Sequence, residues 1–166
     1  MAFNVNVTNS CKTLVIHGNQ YDPASTQATL VFTDMDNNSS YTAIMTYTAG
    51  IGKINVPVSN LPSLNGVFRV CLSENGIEYS CVPVLIKCDI DCCLTKLTNE
   101  LIDCSCDCPR CSTALAKAQK IFLLLQSAAS AVEIAAENPS SGYFEDIYSK
   151  YIKAREICDN SCGCDC

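Results

Sequence analysis

A chain of 166 residues that is 48% hydrophobic and 17% charged has enough apolar material to bury a core, which excludes a disordered polymer. Its formal charge of -6 argues against nucleic acid as a partner, since eleven Lys and Arg spread along the sequence do not make the basic face that phosphates require. The most apolar stretch, Ile121–Ala136, is too short to span a bilayer and contains Gln126 and Glu133, so no membrane partner is expected.

The first residues, Met1–Val7, alternate in the manner of a strand and lack the basic start and apolar centre of a signal peptide. A soluble chain made in the cytoplasm is therefore expected. Short β-type runs follow at Thr13–His17, Ala28–Thr33, Tyr41–Tyr47, Lys53–Val58, Gly66–Leu72 and Tyr79–Ile86. Turn residues separate them at Asp22-Pro23, Asp36-Asn37-Asn38, Ala49-Gly50, Leu61-Pro62 and Asn75-Gly76. Six or seven short strands with no helical period predict an antiparallel, immunoglobulin-like β-sandwich over residues 1–90. Within it, Asn75-Gly76 accepts the positive φ angles of a tight hairpin turn and brings Cys71 and Cys81 near to opposite positions. A cross-strand disulfide and two buried thiols both fit that placement.

The chain changes character at Asp91. Four of its fourteen cysteines lie before that point and ten lie after it. Cys93, Leu97, Leu101 and Cys104 share one face of a short helix that Asp91 is placed to cap. Ser112 is placed to cap a second, long helix running to about Glu137. That helix carries two adjacent apolar stripes, one through Leu115, Ala118, Phe122, Leu125, Ala129, Val132 and Ala136, the other through Ile121, Leu124, Ala128, Ala131 and Ala135. Two stripes predict cover on more than one side. After the turn Asn138–Gly142, a third helix puts Phe144, Ile147, Tyr151, Ala154 and Cys158 on its inner face. The overall expectation is an α+β protein in two parts, a β-sandwich followed by a cysteine-rich three-helix domain over residues 91–166.

An antiparallel pairing of the second and third helices brings Cys158, Cys162, Cys164 and Cys166 back towards Cys104, Cys106, Cys108 and Cys111, beside Cys92 and Cys93. Two chemistries fit such a cluster. Disulfides would close long loops and pin the C-terminal segment. Alternatively, Cys108-x-x-Cys111 is a zinc half-site that tail thiolates would complete, if the cysteines are reduced. A redox-catalytic reading of Cys108-Pro109-Arg110-Cys111 lacks the βαβ context it needs.

The remaining motifs read as structure. His17 stands alone at a strand end, without the nucleophile or second ligand of a catalytic or metal site. Asp34-Met35-Asp36-Asn37-Asn38 opens like a calcium loop but has Met45 where the motif requires glutamate. Asn6-Val7-Thr8 and Asn38-Ser39-Ser40 match glycosylation acceptors, which matter only in a secreted chain. Glu133 and Glu137 share a helix face with no acid-base partner, so no enzyme activity and no catalytic residue are expected.

The strand-rich segment Ala2–Cys88, followed by Cys92-Cys93-Leu94, Cys106-x-Cys108-x-x-Cys111, Ile121-Phe122-Leu123-Leu124-Leu125 and Cys162-Gly163-Cys164-Asp165-Cys166, resembles small structural proteins of tailed bacteriophages. The resemblance implies a decoration or connector protein, made in the host cytoplasm and carried in the virion. Its implied partners are capsid, neck or tail proteins and copies of itself. A cytoplasmic zinc-binding adaptor is the alternative.

Overall fold

A computed structural model describes residues 3–102, 109–137 and 141–159. For residues 100–102, 109–114, 133–137, 141, 142 and 159 it describes the backbone alone. The protein is α+β: among the described residues, seven antiparallel strands precede three helices. The strands are β1 (Asn4–Val7), β2 (Thr13–Asn19), β3 (Gln27–Asp34), β4 (Ser40–Thr48), β5 (Ile51–Pro57), β6 (Gly66–Glu74) and β7 (Ile77–Ile86). They pair in the order β1-β2-β5-β4-β3-β6-β7, and β1 also lies against β7, so the sheet is nearly closed.

Alternation along each strand builds the first core. Leu14 and Ile16 of β2, Leu30 and Phe32 of β3, Met45 of β4, and Phe68, Val70 and Leu72 of β6 all point into it and are fully or almost fully buried. The wall at β2–β5 is unusually thin. Gly18 and Gly52 are Cα partners there, and a Cβ on either would come within 2.9 Å of Phe3 or 2.8 Å of Met45. At Gly18 the neighbour is Phe3 Cβ, which cannot swing aside, whereas at Gly52 it is the flexible end of Met45.

Two hairpins turn on adjacent residues with positive φ: Asn75 (52°) with Gly76 (80°), and Ala49 (52°) with Gly50 (80°). Asparagine tolerates that conformation, whereas alanine is strained by it. Ala49→Asn is therefore expected to stabilise the protein by about 0.5–1 kcal/mol. A thermal melt should show this as a rise of roughly 2 °C in Tm.

The helices are α1 (Cys88–Ile102), α2 (Pro109–Glu137) and α3 (Ser141–Asp159). Two of them begin three residues earlier than the sequence indicated. The N terminus of α1 is held by Asn65, whose Oδ1 accepts from the Asp89 amide at 3.3 Å. Asp91 is not its cap but lies in its first turn, paired with Lys87 at 2.8 Å. Proline opens α2 because a first-turn position needs no N–H donor, which displaces the start from Ser112 to Pro109.

A second core sits on the outer face of β6 and β7. Val67 of β6 joins Ile90, Cys93 and Leu97 of α1, Ala118, Ile121 and Leu125 of α2, and Ile147, Tyr151, Ala154 and Cys158 of α3. Polar contacts fix the docking of α3. Tyr148 Oη donates to Asp36 Oδ1 at 2.7 Å, Tyr151 Oη donates to Asp89 Oδ2 at 2.9 Å, and the Arg69 guanidinium lies 4.3 Å from the centre of the Phe144 ring. Burial, followed by the charge and hydrogen bond of Asp89, pushes the Tyr151 phenol well above its ordinary value, so it stays a donor at any physiological pH.

Three elements pack on α2, yet its apolar surface is not fully covered. One face is buried, through Ala118, Ile121, Leu125, Ala128 and Ala131. Leu115, Phe122 and Leu123 are exposed at 47%, 55% and 62%. Helices α1 and α3 and strand β7 all pack against α2, but they cover only part of the first apolar stripe, which is split between the core and solvent.

Candidate functional site

The candidate site is the cysteine framework, because it carries the chain's most reactive side chains. Three disulfides join described residues. Cys11, in the turn between β1 and β2, bonds Cys88 at the start of α1, with Cα atoms 6.3 Å apart. Cys71 and Cys81 are directly opposed on β6 and β7 and are bonded, with Cα atoms 4.0 Å apart. Cys93 of α1 bonds Cys158 of α3 inside the second core, with Cα atoms 5.9 Å apart. Cys92 is not a free thiol either.

The predicted convergence of two cysteine clusters falls largely outside the described residues, which do not include Cys104, Cys106, Cys108, Cys162, Cys164 and Cys166. Cys111 is placed in the first turns of α2 by its backbone, and its side chain is not described.

Cys11 and Cys88 were not singled out by sequence reasoning. The signal for them is strand parity. In an antiparallel sheet of this order, the end of β1 and the end of β7 fall at the same pole, where α1 departs. A cysteine in the β1–β2 turn and one just after β7 are therefore neighbours. Strand order was the missing information.

A cluster with metal-ligand chemistry appears among the described residues on the outer face of β6 and β7. The two Sγ atoms of Cys71 and Cys81 and a carboxylate oxygen of Glu78 all lie within 4.8 Å of one another. The hairpin register explains why Glu78 is there. Pairing passes from Leu72–Ser80 to Ser73–Glu78, so Tyr79 is the extra residue of a bulge. The bulge turns Glu78 to the side of Ser73 and Cys71.

The same end of this hairpin holds, on its inner face, a buried carboxylate, Glu74, which is 1% exposed. It accepts hydrogen bonds from the amides of Tyr21 and Asp22 at 2.9 and 2.7 Å and from Tyr47 Oη at 2.5 Å. Burial alone would raise its pKa, but these donors and the Ser25 hydroxyl outweigh that effect and hold the carboxyl below the ordinary glutamate value. Burial first, and then the bond to Glu74, push the Tyr47 phenol far above its ordinary value. Every partner of this carboxylate belongs to the chain itself, and the cluster is a clamp joining the β2–β3 loop, β4 and β6.

His17 is exposed in β2, opposite Asn4 and Lys53. In the Asp34–Asn38 turn, Asp34 Oδ1 accepts from the Asp36 amide and Oδ2 from Ser63 Oγ, so the first carboxylate of the calcium-like segment is committed to the turn. No described helix is long and apolar enough to cross a membrane. No protein-family model matches the chain, and no curated protein matches it.

Proposed function

We propose that the protein is a non-enzymatic structural component of a tailed-bacteriophage particle, docking on capsid, neck or tail proteins and on further copies of itself. The observation that carries this reading is the outward face of α2. Leu115, Phe122 and Leu123 are exposed there in one stripe with the uncharged Gln119, Gln126, Ala129 and Ser130, and exposed Lys120 flanks it beside Leu123. Isolated apolar side chains on a surface need no explanation, but an uncharged stripe over four turns of one helix favours protein contact. The disulfides support the setting, since bonds such as Cys11–Cys88 persist in an oxidising medium and not in a cytosol.

In this reading the β part is an immunoglobulin-like sandwich and the helices form a second unit. Two features support the sandwich. The β4–β5 pairing is confined to Tyr47–Gly52 and Thr48–Ile51, which divides the strands into β1-β2-β5 and β4-β3-β6-β7. The first core also fills the space between those two groups. The division into two units is supported by the separate composition of the two cores.

Quantitative mass spectrometry of purified particles tests the proposal. Multiple copies of the chain per particle are expected, and the absence of the chain from such particles would sink the reading.

A further inference from the structure

The outer face of β6 and β7 is divided between two uses. Towards Gly66 and Ile86 the helices cover it, with Val67 in the second core and Arg69 against Phe144. Towards the Asn75-Gly76 turn it carries Cys71, Cys81 and Glu78, with Cys71 and Cys81 half-buried and Glu78 exposed.

The Cys71–Cys81 bond is a poor staple. It spans a separation of 10 residues, against 77 and 65 for the other two bonds. The hairpin it closes is already closed by its turn and by a ladder running from Gly66–Ile86 to Glu74–Ile77. Cross-linking so short a loop removes less freedom from the unfolded chain than the other two bonds do. The same ladder has a second effect. When the bond opens, the strands stay paired, and the two sulfurs remain facing each other beside Glu78.

We propose that Cys71, Cys81 and Glu78 form a redox-gated zinc site, closed as a disulfide and able to bind one Zn²⁺ when reduced. Opening the bond consumes two thiols of a small-molecule reductant, which leave as their own disulfide and transfer two electrons and two protons to Cys71 and Cys81. Zn²⁺ then displaces the two thiol protons and takes both thiolates and the Glu78 carboxylate, with water as the fourth ligand. Oxidation by a disulfide reverses the sequence and expels the ion.

The donor set fits zinc better than the hard cations. Two thiolates exclude calcium and magnesium, which take oxygen ligands. Tetrahedral zinc with bonds of about 2.3 Å to sulfur holds its thiolates about 3.8 Å apart. Directly opposed side chains on an antiparallel pair reach that separation without moving the backbone. Three protein ligands and one open position match a zinc site accessible from solvent.

The full-length protein, reduced under native conditions and freed of metal, is titrated with Zn²⁺ and counted by native mass spectrometry. Because every other cysteine is present too, the wild type is compared with Cys71→Ser/Cys81→Ser and with Glu78→Gln. The double variant is expected to bind one zinc ion fewer. Glu78→Gln is expected to keep the stoichiometry and weaken one equivalent by at least about tenfold, the loss typical of removing even an outer-shell partner. In the oxidised state the wild type and the double variant should bind equally. Equal zinc uptake by the reduced wild type and a folded double variant overturns the proposal. So does a Glu78→Gln titration superimposable on wild type, which decides the matter alone if the double variant does not fold.

Discussion

Replacing Cys93 and Cys158 together by alanine should lower stability by about 4 kcal/mol, the chain-entropy value for a loop of 65 residues. Both sulfurs are buried in the second core, at 0% and 3% exposure, so the lost cross-link comes with lost packing. Denaturant unfolding without reductant measures the total. Hydrogen exchange locates it: amides of α1 and α3 should lose protection, while those of β2 and β3, whose core contains neither cysteine, should keep theirs. Cys71→Ser/Cys81→Ser should cost less under the same conditions, about 2.7 kcal/mol by the same relation, because its loop spans 10 residues and its sulfurs are only half-buried. Equal losses for the two pairs would show that the cross-links act on something other than the freedom of the unfolded chain.

Glu74→Gln should destabilise the protein by about 2–4 kcal/mol. Hydrogen bonds to a charged acceptor are worth more than neutral ones, and the amide of glutamine would point a donor at groups that are themselves donors. The pH dependence follows from the direction of the shift. The folded carboxyl titrates below its ordinary value of 4.5, so its stabilisation is fully present above that pH and is lost as pH falls through the folded value. A series of melts from pH 7 down to pH 3 should therefore show a steeper decline for the wild type than for Glu74→Gln. Parallel declines would mean that the clamp carries no charge.

Much of the fold was legible because local rules decide it. Turn residues and alternation located the strands, and the helical period identified Phe144, Ile147, Tyr151, Ala154 and Cys158 as the buried face of α3. The outer face of α2 was not legible, because both of its stripes are apolar and only the docking of α1, α3 and β7 decides which part is covered. Glu74 was hidden by its neighbours. It precedes the polar turn Asn75-Gly76, although its parity with Phe68, Val70 and Leu72 points it inward. Strand order explains the other omission, since β5 stands between β2 and β4, and β3 beside β6, by pairings between distant segments.

The connectivity of two disulfides also sets how the molecule bears a mechanical load. A pull between Phe3 and Asp159 runs along the backbone to Cys11, crosses to Cys88, follows α1 to Cys93 and crosses again to Cys158. Strands β2 to β7 and helix α2 lie off this path and carry no tension. The taut path is about 60 Å long, whereas the same span without the bridges would extend to about 500 Å. With its cross-links closed, the protein behaves under force as a short tether with the rest of the fold hung beside the line of tension.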